Sequence, residues 1–409
     1  MRQSMRSVVF LVDMNAFFIS CEMSRNPGLK GRPAAVAGDP KNRMGIILAA
    51  NYDARAFGVK TTMLVHEAKR LCPSLELVPP EHCLYERKSQ EVMEILSRYT
   101  PVLQQNSIDE AWLDLTGCEG LFGEPVQIAE RIMKEIMEEL DLWCSIGISE
   151  NKFLAKMASE IKKPLGITEL WEKDVKTKLW PLKVREMYGI GKQTEKRLNE
   201  LGIMTIGNIA CCDKSILCSS FGKYGEELKR LANGIDLSLV VPHPKHETRS
   251  ISRSTTLSKN TVDMEYARSV LLRLSEEVGE EARRYGFKGK TVSIVIRYDD
   301  FKTITRQKAV TPTFLTMDIY KVGTALLDEN WDCRRPIRLL GIGLANIDED
   351  IPEQLSIFDV NDELPDENKR EEKLERAMDA IRSRFGSDKL KRAKLVGDGS
   401  RRKKEENDH

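Results

Sequence analysis

Hydrophobic positions along this chain come in short blocks, and the first of them sets the plan. Val8-Val9-Phe10-Leu11-Val12 is a β-branched and aromatic run that closes on Asp13, the pattern of a buried strand with a carboxylate at its end. Ala111-Trp112-Leu113-Asp114-Leu115 alternates like a second strand, with Asp109-Glu110 at its start, and Cys144 to Ser149 reads as a third. Between the last two, Ile128, Ile132, Ile136 and Leu140 recur at helical spacing across Pro125 to Asp141. Strand, long insertion, strand, helix, strand predicts one α/β platform interrupted by a subdomain over residues 17–80.

After Pro164-Leu165-Gly166 the pattern turns helical, and Val184 to Ala210 carries Gly189-Ile190-Gly191-Lys192, a helix, then Leu201-Gly202-Ile203. Two short helices around a glycine-rich hairpin would turn backbone amides toward a phosphate, although a plain helical turn with glycine caps fits the same residues. Val241-Pro242-His243-Pro244-Lys245-His246 has the composition of a linker. Beyond it, Val292 to Tyr298 and Leu339 to Leu344 read as strands among helices, a second α/β unit. From Asn361 the chain is mostly charged, with one expected helix from Glu367 to Phe385 that stops at Gly386.

Composition narrows the classes. At 409 residues, 31% charged and 41% hydrophobic, the chain suits several globular domains, and no apolar run approaches the roughly 20 residues that span a bilayer. The run before Asp13 is too short for a signal-peptide core, so a cytoplasmic protein without membrane partners is expected. Nine scattered cysteines without a Cys-x-x-Cys pair read as reduced thiols. The net charge of +1 hides a basic stretch, Arg283, Arg284, Lys288, Lys290, Arg297, Lys302, Arg306 and Lys308, opposed only by Asp299 and Asp300. It is a candidate phosphate-binding face, with an ordinary solvated surface as the alternative.

Asp13 and Asp109-Glu110 lie at the ends of strands that can be neighbours in one sheet. Converging carboxylates repel one another unless a cation neutralises them, and hard oxygen ligands suit magnesium. The residues around them carry a resemblance. Val12-Asp13-Met14-Asn15-Ala16-Phe17-Phe18, Ser107-Ile108-Asp109-Glu110 with Leu113-Asp114, Ala50-Asn51-Tyr52-Asp53-Ala54-Arg55-Ala56-Phe57-Gly58-Val59-Lys60, and Gly147 to Lys152 running on to Lys163-Pro164-Leu165-Gly166 are similar, in order, to the metal, fingers and palm motifs of the Y-family DNA polymerases. The similarity runs to about Phe358 and points to the bacterial translesion branch.

That resemblance implies a multidomain α/β right hand: a ferredoxin-like palm (1–16 and 81–170), small fingers (17–80), a helical thumb with a helix-hairpin-helix (171–240), a linker (241–249), an α/β little finger (250–350) and a charged tail (351–409). It implies two Mg2+ ions on Asp13, Asp109, Glu110 and the Met14 carbonyl. The incoming deoxynucleoside triphosphate would meet Tyr52, Arg55, Lys163 and the amides of Ala16 and Phe17, with Phe18 as a steric gate under the sugar. Gly189, Gly191, Lys192, Arg249 and Arg297 would hold primer-template DNA. Gln354-Leu355-Ser356-Ile357-Phe358 is similar to the peptide that replication proteins insert into the sliding clamp, and the enzyme is expected to act as a monomer.

The sequence departs from the family pattern at Asn15, where a further aspartate is common, and at Ala49, where a hydroxyl residue often touches phosphate. Two rival readings stand at this point: a nucleotidyl cyclase on a similar palm, and a polymerase-like scaffold that has lost catalysis and only recruits partners to the clamp.

Overall fold

The computed structural model describes residues 6–39, 45–242, 250–348, 366–386 and 389–395, and the chain divides into two compact units near residue 246. The first unit opens with β1 (Val9–Met14), α1 (Phe17–Arg25), β2 (Ala34–Ala37), β3 (Ile47–Ala50), α2 (Tyr52–Ala56), α3 (Val65–Leu71) and β4 (Glu76–Val78). It continues through α4 (His82–Ser97), β5 (Leu103–Gln105), β6 (Glu110–Asp114), α5 (Glu119–Phe122), α6 (Pro125–Leu140), β7 (Cys144–Ser149), α7 (Lys152–Ile161) and β8 (Ile167–Glu169).

The main sheet runs β5-β6-β1-β7-β8. With the insertion set aside, β1, α4, β5, β6, α6 and β7 follow the β-α-β-β-α-β order of ferredoxin-like folds. Side chains alternate across β1 because successive residues of a strand face opposite ways. Phe10, Val12 and Met14 join the large core under α4 and α6, whereas Val9 and Leu11 join Trp112 and Ala155 on the other face. The strand does not stop at Asp13 as its hydrophobic run suggested. It continues to Met14, which pairs in register with Cys144 of β7, while Asp13 pairs with Glu110 on one side and Ser145 on the other.

Within residues 17–80, α1 gives Phe17, Ile19, Cys21 and Met23 to the main core. A second sheet, β3-β2-β4, divides its residues between two faces, with a register shift opposite Val36 and Ala37 that puts Ile47 and Ala49 on different sides. Ala34, Val36 and Ala49 face the main core, and Ala35, Ala37, Ile47 and Ala50 join Ala54, Val59, Val65 and Ala68 in a small core of their own.

Helix α7 serves two layers. A Cβ at Gly147 on β7 would lie 2.0 Å from the Ala155 carbonyl oxygen, so the helix sits directly on the strand only because residue 147 has no side chain. Its Phe153, Leu154, Met157 and Ala158 enter the core of the following helical domain. There a 3-10 turn at Val184–Glu186 precedes α8 (Lys192–Glu200) and α9 (Ile206–Cys211), two short helices on either side of Leu201-Gly202-Ile203, followed by α10 (Lys214–Phe221) and α11 (Lys223–Ala232).

The second unit contains β9 (Ser250–Thr261), α12 (Met264–Tyr285), β10 (Lys288–Tyr298), β11 (Thr303–Thr313), α13 (Thr316–Asn330) and β12 (Ile337–Asp348), then α14 (Asp366–Phe385). The element order again reads β-α-β-β-α-β, but the sheet runs β11-β10-β12-β9, so the first strand lies at an edge. Both helices cover one face, packing on Val292, Ile294, Ile296, Leu340, Ile342 and Leu344.

Helix α14 turns its charged side inward. Glu375 and Arg382 are buried while Leu374, Ile381 and Phe385 are exposed. The inversion has a cause in α12: Arg283 pairs with Glu375 at 2.7 Å and Asp379 at 2.6 Å, and Arg382 with Glu276 at 3.0 Å. Arg392 closes the cluster on Glu276 at 2.9 Å and Glu375 at 2.7 Å. Arg283 therefore does not belong to the basic face that the sequence suggested. Its guanidinium is consumed by this network.

Candidate active site on the main sheet

The site begins with register. Asp13 on β1 and Glu110 on β6 are directly opposed partners in adjacent central strands, and both follow Val9, Leu11 and Trp112 onto the α7 side of the sheet. Across that face α7 delivers Lys156, whose Nζ lies 3.0 Å from Asp13 Oδ2, 2.7 Å from Glu110 Oε2 and 2.9 Å from Glu160 Oε1. Burial alone would lower the lysine pKa, but Asp13, Glu110 and Glu160 outweigh it and raise the value, so the amine stays charged. Lys163 Nζ takes the other Asp13 oxygen at 2.8 Å and Glu160 at 2.9 Å. Burial pushes Glu160 upward, yet the two ammoniums prevail and hold it below the usual carboxylate range.

Lys156 escaped the sequence reading. Its signal is a lysine set among Ala155, Ala158 and Ser159 on the inward face of a helix, a position that requires carboxylate partners. Asp109 stands apart from the bridged pair. Its Oδ1 accepts from Ser107 Oγ at 2.6 Å, and its carbonyl accepts the Met14 amide at 2.9 Å. Among the described residues no three acidic, histidine or cysteine side chains converge as a ready metal cluster.

Asn15 explains itself as a clamp. Its Nδ2 donates to Ser145 Oγ at 3.0 Å, and its Oδ1 accepts the Leu165 amide at 2.9 Å, which ties the end of β1 to the segment carrying Lys163. Ala16 then adopts a left-handed turn (φ 49°), and α1 starts without a side-chain cap, leaving its first amides without intrahelical partners. Phe17 goes into the core as expected. Phe18 is half-buried and stacks on Tyr85 with centroids 4.3 Å apart.

Tyr52 and Arg55 are set by Asn51, the N-cap of α2, whose Oδ1 accepts the amides of Ala54 (2.9 Å) and Ala34 (3.1 Å). Arg55 Nε donates to the Ala50 carbonyl at 2.9 Å, and its guanidinium lies 4.9 Å from the centre of the Tyr52 ring. The Tyr52 hydroxyl is the one buried side-chain polar atom without a hydrogen-bond partner among the described residues. Burial raises its pKa, against the pull of Arg55 and Lys163. The hydroxyl is thus left available to a water or a ligand.

Further along, Gly189 has a positive φ of 90° and its carbonyl accepts from Tyr224 Oη at 3.0 Å, while Gly191 is the exposed N-cap of α8, which begins at Lys192. Arg297 lies on the sheet face away from α12 and α13, Nε donating to Thr303 Oγ1 at 3.0 Å. Arg249 and Gln354 to Phe358 lie outside the described residues.

Opposed carboxylates on the central strands of a ferredoxin-like sheet, flanked by an orphan phenol and cationic side chains, form the charged centre of the first unit. Comparison with known proteins agrees along the chain. The impB/mucB/samB family profile matches residues 12–160, the IMS family HHH motif residues 172–203, and the impB/mucB/samB family C-terminal domain residues 248–357. A solved Y-family DNA polymerase chimera superposes with a TM-score of 0.75 at 30% identity, covering 83% of this chain and 99% of its own. The chain belongs to the Y family of DNA polymerases, the translesion class.

DNA polymerase IV of Clostridium kluyveri is 54% identical over 96% of this chain and 99% of its own length. That of Alkaliphilus oremlandii is 51% identical over 96% and 100%. Within the family, the chain falls in the DNA polymerase IV branch and is a DNA-directed DNA polymerase. No helix among the described residues is long and apolar enough to cross a membrane.

Proposed function

We propose that the enzyme extends a primer by nucleotidyl transfer with two Mg2+ ions held by Asp13, Asp109, Glu110 and the Met14 carbonyl. The observation that carries this reading is the Asp13–Glu110 pair bridged by the Lys156 ammonium: the two carboxylates are already arranged about a positive charge, and their oxygens suit a hard cation. When bound, the two ions activate the primer hydroxyl and stabilise the leaving pyrophosphate.

The chain's own groups do the rest. Tyr52 Oη donates to a triphosphate oxygen, Arg55 and Lys163 neutralise the charge that grows on the leaving group, and the amides of Ala16 and Phe17 cradle the same phosphates. Phe18 closes the space beneath the sugar and excludes a 2′-hydroxyl. Gly189, Gly191 and Lys192, with Arg249 and Arg297, hold the duplex backbone without reading sequence.

Gln354 to Phe358 bind the sliding clamp, Leu355, Ile357 and Phe358 filling an apolar pocket while Gln354 bonds at its rim and Ser356 spaces them. The enzyme acts as a cytoplasmic monomer. Primer extension with and without Mg2+, paired with calorimetric titration of Mn2+ into the parent and Glu110→Ala, tests the metal assignment. Equal Mn2+ binding by the two proteins would refute it. Loss of clamp stimulation in the Leu355→Ala, Phe358→Ala double variant tests the peptide.

A further inference from the structure

We propose that Tyr85, locked by the buried carboxylate of Glu22, fixes the attitude of the Phe18 ring and thereby sets how strongly the enzyme prefers deoxynucleotides over ribonucleotides. The proposal rests on the reading of Phe18 as the gate. Phe18 and Glu22 are one turn apart on α1 and present the same face to α4. The Phe18 and Tyr85 rings stack at 4.3 Å with 12° between their planes, and His82 meets Phe18 edge-on at 6.1 Å and 89°.

Behind the stack, nothing is free to turn. Tyr85 is 0% exposed, its hydroxyl donates to Glu22 Oε1 at 2.8 Å, and the hydroxyl oxygen in turn accepts the Glu81 amide at 3.1 Å. Glu22 is 1% exposed and its other oxygen holds the Arg25 guanidinium at 2.7 Å.

An apolar side chain at position 85 would need no buried carboxylate beside it. The buried carboxylate, costly unless fully bonded, is explained if the ring must be held in one orientation. A gate excludes an added hydroxyl only as firmly as the wall behind it resists displacement. Half-buried Phe18, left alone, has alternative rotamers; stacked on an immobile ring it has one. Tyr85 is thus a positioning residue that touches no substrate.

The test compares kcat/KM for dCTP and rCTP opposite template dG in the parent, Phe18→Ala, Tyr85→Phe and Tyr85→Leu, with thermal unfolding to establish folding. Tyr85→Leu is expected to lower the dCTP:rCTP preference about tenfold, the worth of an aromatic pair converted to a rate ratio, mainly through rCTP, with dCTP incorporation near the parental level. Tyr85→Phe keeps the stack and loses the lock, for about a threefold drop. If Phe18→Ala itself gains no rCTP incorporation, the gate reading fails and not the Tyr85 step. If Phe18→Ala gains it while folded Tyr85→Leu keeps the parental preference, the proposal is overturned. A parental preference in Tyr85→Phe overturns the role of Glu22 and, should Tyr85→Leu not fold, the proposal with it.

Discussion

Two charge clusters, one at the main sheet and one under α14, hold this molecule's chemistry and its architecture apart. On the main sheet, Asp13, Glu110 and Glu160 face two lysines, Lys156 and Lys163, while Asp109 stands apart on Ser107. In the second unit, Glu276, Glu375 and Asp379 face three arginines, Arg283, Arg382 and Arg392. The first cluster is short of positive charge and uses the compact ammonium; the second is balanced and uses the planar, multidentate guanidinium. The first keeps a net negative charge, which suits the cations proposed for it, whereas the neutral second one fastens α14 to α12. Burial of charge therefore does not mark function by itself.

The comparison breaks first at its catalytic end. Glu110→Ala or Asp109→Ala should reduce primer extension by about 10^3-fold, the scale of losing a preorganised electrostatic contact, while the urea unfolding midpoint stays close to that of the parent. A large stability loss with residual activity would make the main-sheet cluster structural. The opposite pattern belongs to Glu375→Ala, which strands Arg283 and Arg392 and should cost the second unit about 3 kcal/mol, as breaking a buried ion pair does; urea denaturation followed by circular dichroism measures it.

Gly147→Ala sharpens the difference by lifting α7, and with it Lys156, from the sheet. Overpacking of this kind costs about 1–3 kcal/mol, and extension should fall with stability, because one helix serves both. Smallest is Arg297→Ala on the exposed face of the second sheet. It should weaken primer-template binding about twofold and reduce the slope of log affinity against log salt by about one, as fluorescence anisotropy across a salt series would record.

Much of this was legible along the chain. β1, β6 and β7 announced themselves as apolar blocks, and α6 by its isoleucine spacing, because each element's own periodicity matches the face it buries. The strand limit at Asp13 is short by one residue because pairing of Met14 with Cys144, which local hydropathy does not contain, carries β1 one position further. Lys156 was missed for the same kind of reason. Its destination depends on α7 approaching β7 at Gly147, a tertiary contact. Arg283 was counted among surface basic residues since nothing within its own segment reveals carboxylates almost a hundred residues later. Tyr52 and Arg55 were legible only through the motif around them, and their local spacing is that of any short helix.

Helix α14 has one more consequence. Strand β12 ends at Asp348 and α14 starts at Asp366, so residues 349–365, with Gln354 to Phe358 among them, run between two elements fastened to the same unit. A single proteolytic cut between Asp348 and Asp366 would sever the covalent chain, and the ion pairs of Glu375, Asp379, Arg382 and Arg392 are expected to keep the C-terminal fragment attached. Such a nicked enzyme would migrate as one species in gel filtration at low ionic strength and as two bands under denaturing electrophoresis.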